Sequence, residues 1–315
     1  MTQVSIYGAG QLGTAAAEML RKHGAYEVHG PFGRAERETA LSSGAEVVII
    51  ATTTRFRDVA NDIELAVASG SNVLVSAEEC AYPFVVDKPL AARLDALAVA
   101  KGVSVAGCGI NPGLIFDALV LTLLGGAPSD CTIEVSRTVD ISGFGPTVLR
   151  RIGVGRTREA FAAAVKKEEI LGHAGFPQSM HVVASAIGVV IERIEKELSP
   201  LISETPVRVR DLMVAAGESV GVTQSYTAFV NGAPWYVCRW FGHVDIASIP
   251  KATGDDITFY RGGRIFQTMQ IRPAIGAQVG SQNMLVNSVA RILKASAGWR
   301  TVSELAPAFP APAAE

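Results

Sequence analysis

Residues Val4–Gly13 read Val-Ser-Ile-Tyr-Gly-Ala-Gly-Gln-Leu-Gly, an apolar run that starts almost at the first residue and breaks at Gly8, Gly10 and Gly13. The spacing is G-x-G-x-x-G, and Thr14–Arg21 continues in good helix formers. A strand, a glycine turn and a helix start in this order form a seat for a dinucleotide pyrophosphate. Gly8 makes the turn, Gly10 lets phosphates approach the backbone, and Gly13 lets the helix pack on the strand. The N–H groups of the loop, those of Gln11 and Leu12 among them, and the positive end of the helix dipole face the anion.

The remainder of the first third keeps the rhythm that such a loop demands. Strands are predicted at Tyr26–Gly30, at Glu46–Ala51 (Glu-Val-Val-Ile-Ile-Ala), at Asn72–Ser76 and at Val103–Ala106, with helices over Asp58–Ala68 and Leu90–Ala100. Alternating strands and helices predict a doubly wound parallel sheet, with ligands at the carboxyl ends of its strands. Near Asn111-Pro112-Gly113 the rhythm changes. After a helix over Ile115–Leu124 the strands lengthen and alternate, at Thr132–Val139, Val207–Val214 and Val222–Val230. Asn231-Gly232 marks a hairpin, and Ile257–Arg261 and Ile265–Ile271 flank Gly262-Gly263. Gln178–Leu198 carries apolar residues at helical spacing, with Glu192–Lys196 and Arg193–Glu197 as i,i+4 pairs. It reads as one helix, either in the core of the second domain or at a subunit interface. The expected fold is therefore α/β: a Rossmann-type domain over 1–114, joined by a C-terminal helix at about 281–300, and an α+β domain over 115–280 with a mostly antiparallel sheet. A Pro/Ala-rich tail over 306–315 is expected to be flexible.

At 315 residues, 49% hydrophobic and 18% charged, the chain can bury a large core. A net charge of −2 gives no electrostatic footprint for nucleic acid. Met1 runs into the first strand without a charged-then-apolar leader, and no apolar stretch is long enough to span a bilayer. Cys80, Cys108, Cys131 and Cys238 are widely separated, which suits a reducing cytoplasm and argues against a metal site.

An NAD site usually has an acid at the end of the second strand. Arg34 stands there, with Arg37 one turn on, and guanidinium groups suit the 2′-phosphate of NADP; Glu36 keeps NAD open. The nicotinamide end should reach the loops after the third, fourth and fifth strands: Thr52-Thr53-Thr54-Arg55, Ala77-Glu78-Glu79-Cys80-Ala81-Tyr82-Pro83 and Gly107–Gly113 with Asn111. A carboxylate there can exchange a proton with an ammonium or iminium, which makes Glu78 and Glu79 candidates. The bland alternative is that one caps a segment and the other is solvated. His173 lies in the glycine-flanked loop Gly172-His173-Ala174-Gly175, as a site residue or as a structural histidine.

Those segments carry a resemblance. Gly8–Gly13, Asn72–Pro83 and Gly109–Gly113 are followed in order by Arg137–Asp140, Arg150–Gly155, Gly172–Gly175 and Val286–Arg291. Together they resemble the dihydrodipicolinate-reductase-like dehydrogenases, most closely the 2,4-diaminopentanoate and native amine dehydrogenases. The resemblance implies a two-domain homodimer that oxidises a primary amine to an imine, which water converts to a ketone and ammonia, or that runs the reverse. It gives the Glu78-Glu79 pair the acid/base role and places Asn111, His173, Arg150 and Arg151 near the substrate. The alternatives are a cyclic-imine reductase of the dihydrodipicolinate type and a non-catalytic NADP(H)-binding dimer.

Overall fold

The computed structural model describes residues 1–310, and it divides into two units: Met1–Thr122 with Pro177–Gly188 and the segment from Gly276 onward, and Leu123–Phe176 with Val189–Ile275. The sequence division instead placed the change at 114/115 and put residues 177–188 in the second part. Residues 311–315 of the expected tail lie outside the described residues.

In chain order the first unit runs β1 (Thr2–Tyr7), α1 (Gln11–His23), β2 (Tyr26–Phe32), α2 (Arg37–Leu41), β3 (Val47–Ile50), α3 (Phe56–Ala68), β4 (Asn72–Val75), α4 (Lys88–Lys101), β5 (Ser104–Gly107) and α5 (Ala118–Leu124). The second contributes β6 (Thr132–Asp140), α6 (Pro146–Ile152) and α7 (Arg158–Lys166). The chain continues through α8 (Phe176–Ile187), most of which belongs to the first unit. The second unit then resumes with β7 (Arg193–Ile202), β8 (Val207–Val209), β9 (Leu212–Val214), β10 (Ser219–Val230), β11 (Ala233–His243), β12 (Gly254–Arg261) and β13 (Arg264–Ile271). Finally α9 (Ala277–Asn287), α10 (Val289–Ile292) and β14 (Gly298–Trp299) return to the first.

The first sheet has the order β2-β1-β3-β4-β5-β14, and every adjacent pair is parallel. Strand order reverses at β1, so the crevice between the carboxyl ends of β1 and β3 is where such a sheet takes its ligand. The all-apolar Val47–Ile50 is fully buried because both faces are covered. Val48, Ile50, Val73 and Val75 pack on one side with α3 and α4, through Phe56, Ile63 and Leu94. Val4, Ile6, Val47 and Ile49 pack on the other with Ala16, Ala17 and Leu20 of α1 and Leu285, Val289 and Ile292 of α9–α10. The two-residue β14 adds an edge strand with no sequence signal, held by Trp299 Nε1 donating to Cys80 O at 3.1 Å.

The second sheet, β13-β12-β6-β11-β10-β7, is mixed: β6 and β11 run parallel and the other neighbouring pairs antiparallel. β8 and β9 form a separate hairpin turning at Arg210-Asp211, where a single strand was expected. The reading of 178–198 as one helix is corrected. α8 stops at Gly188, whose φ of +74° is left-handed, and the charged half is strand β7. The residues that looked like helical ion pairs are cross-strand partners instead. Arg193 lies 3.6 Å over the Phe229 ring, Lys196 lies 5.8 Å over Tyr226, and Glu197 accepts from Ser225 at 3.3 Å. α8 itself packs within the first unit, where Ser179 Oγ donates to the buried Asp117 at 2.9 Å and His181 stacks on Tyr82 with ring centroids 5.7 Å apart. Among the described residues, no helix is long and apolar enough to cross a membrane.

Candidate active site

The glycine loop has the form the motif dictates. A Cβ on Gly8, whose φ is +124°, would lie 2.3 Å from Ala51 O, and one on Gly13 would lie 1.9 Å from Gly8 O. A Cβ on Gly10, by contrast, would meet nothing within 4 Å, so open space lies over the start of α1. Thr14 N is the first donor to bond back into the helix, to Gly10 O at 3.0 Å, which leaves the N–H groups of Gln11, Leu12 and Gly13 without an intrahelical acceptor. No acidic residue occupies this first turn. An open cradle of donors at the positive end of a 13-residue helix fits a pyrophosphate.

Leu12 also borders a cavity of about 110 Å³, together with Ser76, Glu78, Cys108, Asn111 and Ser281. The structure thus brings Glu78, from the 3-10 turn after β4, together with Asn111, from the loop after β5, beside the dinucleotide loop. Asn111 is buried and Glu78 partly so. The loop that carries Asn111 is pinned by Asp117, which is 0% exposed. Its carboxyl accepts from Gly113 N at 2.8 Å, Ala118 N at 2.7 Å and Ser179 Oγ at 2.9 Å. Burial pushes the Asp117 pKa up, against the pull of those bonds. Sequence reasoning missed Asp117, although a lone acid inside the apolar run Leu114–Leu124 is a signal for a buried, hydrogen-bonded carboxyl.

Glu79, the neighbour of Glu78, is engaged elsewhere. Its Oε2 accepts from Phe56 N at 2.8 Å and so satisfies an open donor at the start of α3. Of the two threonines, Thr52 is exposed and Thr53 Oγ1 lies 3.4 Å from Asp58 Oδ2.

At the end of β2 the charges divide in the same way. Arg37 is held by Asp62 through Nε at 2.6 Å and Nη2 at 2.5 Å, and Glu36 Oε2 caps its own turn by accepting from Gly33 N at 3.2 Å. Arg34 is exposed and has no ion-pair partner among the described residues.

His173, Arg150 and Arg151 belong to the second unit. Both arginines are exposed on α6, in its last turn. His173 is held by its main chain. The side chain of Gln224, 1% exposed in the middle of β10, accepts from His173 N at 2.7 Å and donates to His173 O at 3.1 Å. Nothing in the sequence around Gln224 announces this clasp. The imidazole packs against Phe176 and Trp240, with ring centroids 4.9 and 5.9 Å away. Its Nδ1 lies 2.5 Å from Ala174 O, and since a carbonyl only accepts, Nδ1 carries the proton and Nε2 presents a lone pair. Burial, with a smaller push from the Arg137 charge, holds the His173 pKa down to about 4. The ring is therefore a neutral hydrogen-bond acceptor at neutral pH.

This has a stability consequence. Between the unfolded value near 6.5 and about 4, the unfolded chain binds a proton at this position that the folded chain refuses, so stability falls as pH falls through that window. His173→Gln should flatten the loss of thermal midpoint between pH 6.5 and 4; an unchanged slope would show that the ring titrates normally.

The parallel sheet, glycine loop and adjoining carboxylate define the class: a Rossmann-type dehydrogenase. Residues 114–314 match the 2,4-diaminopentanoate dehydrogenase C-terminal domain, and the chain belongs to that family, as the resemblance in its segments implied. It is 29% identical to the 2,4-diaminopentanoate dehydrogenase of Acetoanaerobium sticklandii, over 96% of this chain and 93% of that protein. The amine dehydrogenase of Mycobacterium smegmatis shares the fold with a TM-score of 0.82 at 19% identity, covering 99% of this chain and 98% of that one. A probable dehydrogenase from Thermotoga maritima follows at a TM-score of 0.56 and 11% identity, over 93% and 87% of the two chains.

Proposed function

We propose that this protein is an NADP(H)-dependent oxidoreductase that interconverts a small primary amine, such as an amino or diamino acid, with its imine. Water takes the imine on to a ketone and ammonia. The observation that carries this reading is the cavity shared by Leu12, Glu78 and Asn111, which sets a carboxylate and a carboxamide beside the dinucleotide loop. The amine-acting relatives support the same chemistry.

A bound nicotinamide supplies the acceptor or donor of a hydride. The side chains do the rest. An ammonium has no lone pair, so it must lose a proton before its carbon can release hydride. The Glu78 carboxylate takes that proton, and in the reverse direction returns it to the nitrogen. The freed lone pair becomes the second C–N bond as the C–H electron pair departs. Asn111, buried and fixed through its loop, orients the nitrogen or a substrate carboxylate, which is the positioning on which hydride transfer depends. A homodimer in the cytoplasm is part of the same reading, and the four free thiols are consistent with that compartment.

Arg34 decides the cofactor in this proposal, because Arg37 and Glu36 are already bonded. A charge-assisted contact to a 2′-phosphate predicts that Arg34→Ala raises the KM for NADP by about 10- to 100-fold and leaves that for NAD nearly unchanged. Steady-state kinetics with both cofactors measure this. An unaltered ratio overturns the choice of NADP.

A further inference from the structure

One stretch of chain, Cys108–Pro112, supplies much of the wall of the cavity beside the dinucleotide loop. It turns back on itself just beyond Asn111: Leu114 N and Ile115 N both donate to Ile110 O, at 3.2 and 3.1 Å. Gly113 sits in this turn at a φ of +129°, where a Cβ would clash with Gly109 O, so position 113 cannot carry a side chain to brace it. The brace comes from behind. Gly113 N donates to Asp117 Oδ2 at 2.8 Å, and Ser179 Oγ, from α8, reaches the same oxygen at 2.9 Å. Ala118 N holds the other oxygen at 2.7 Å.

Asp117 and Ser179 are 0% and 1% exposed, so water does not share this work. Each carboxyl oxygen meets a peptide N–H, which only donates, and the arrangement therefore suits a carboxylate ion. A buried carboxylate needs an opposing charge. Arg291, on α10, supplies one: it is 7% exposed, and its charge and that of Asp117 each favour the ionised form of the other. Its Nε and Nη2 are buried and bond to nothing among the described residues. The guanidinium is retained here for its charge rather than for the bonds of those two atoms.

We propose that Asp117, Ser179 and Arg291 form a buried positioning assembly that sets Asn111 in the active-site cavity. Asp117 fixes the turn two residues beyond Asn111, Ser179 fixes the Asp117 carboxylate, and Arg291 balances its charge. None of the three touches a reacting atom; they act through Asn111. The proposal rests on the reaction assigned above and extends it to residues drawn from three separate parts of the chain. A reacting group displaced by an ångström can lose about 100-fold in rate, which gives such an assembly its leverage.

The test is turnover per active site in amine oxidation with NADP, active sites being counted by NADPH titration. Asp117→Asn keeps the shape but cannot accept from all three donors, and should lower turnover by about 10- to 100-fold. Ser179→Ala, which removes one donor of the three, should lower it by about three- to tenfold, and Arg291→Met by about tenfold. NADPH affinity should stay within about twofold in all three, because the glycine loop is untouched. In an Asn111→Ala background the same substitutions should each cost less than about a further twofold, since the group they position is gone.

Circular dichroism establishes folding, and should Asp117→Asn or Arg291→Met fail to fold, Ser179→Ala decides. The assignment is overturned if any folded variant turns over within about twofold of the parent chain, or if the losses multiply with that of Asn111→Ala, as those of a purely structural role would. In these cases the reaction itself stands, because the parent chain and Asn111→Ala report on it separately. A parent chain without amine-linked turnover, or an Asn111→Ala variant as active as the parent, overturns the role of Asn111 and this assembly with it.

Discussion

Glu78→Gln is expected to lower turnover by about 10²- to 10⁴-fold, the usual yield of a positioned acid/base, while NADPH affinity stays within about twofold. The side chain keeps its size and its place on the cavity and loses only the ability to hold a proton. Glu79→Gln should behave differently. Its carboxamide oxygen can still accept from Phe56 N, so most turnover survives, whereas Glu79→Ala opens the start of α3 and costs about 1 kcal/mol of stability. The three variants are compared by amine oxidation with NADP at alkaline pH, by NADPH fluorescence titration and by thermal unfolding. Equal losses of turnover in the two glutamine variants would remove the distinction between the carboxylates. Full activity in Glu78→Gln would move the base elsewhere.

The second large effect concerns stability. Arg137 and Asp255 face each other across β6 and β12, with side chains 1% and 0% exposed and Nη1 2.6 Å from Oδ1. Ile275 completes the arrangement: its N–H donates to Asp255 Oδ2 at 3.0 Å, and its carbonyl accepts from Arg137 Nη2. Burial pulls the Arg137 pKa down and pushes the Asp255 pKa up, and each partner's charge opposes the other's shift. Asp255→Ala strands a guanidinium in the interior and should cost about 3–5 kcal/mol. Replacing both residues by apolar ones of similar volume, Arg137→Met with Asp255→Leu, should recover most of that loss, because the penalty lies in the unpaired charge rather than in the missing bond. Urea unfolding followed by tryptophan emission reads the difference; a single variant within about 1 kcal/mol of the parent chain would mean that water reaches the site.

The first sheet was legible because its signals are local. A glycine turn, a four-residue buried strand and amphipathic helices each declare themselves within a dozen residues. The second unit was less so. In residues 192–197 the same alternating charges satisfy helical i,i+4 spacing and cross-strand pairing, and only the partner strand β10, nearly thirty residues later, decides between them. β14 gains its place from the edge of β5 and a tryptophan anchor, and two residues carry no period. The candidate site divides along the same line. Glu78 and Glu79 are equivalent as letters, and it is the position of Phe56, twenty-three residues earlier, that sets one aside as a cap. Arg34 and Arg37 are separated likewise by Asp62. The Arg137–Asp255 pair spans 118 residues, beyond any spacing argument.

Gln224 grips position 173 through the peptide groups alone, so the loop behaves as an extra rung on β10 whatever side chain it bears. Anchorage and chemistry are thereby uncoupled at this position. Exchange of the imidazole for another side chain gives up its packing on Phe176 and Trp240 and its bond to Ala174 O, but leaves both main-chain bonds to Gln224 in place. Position 173 is in that sense a socket, its main-chain seat provided by Gln224 and not by the ring it carries.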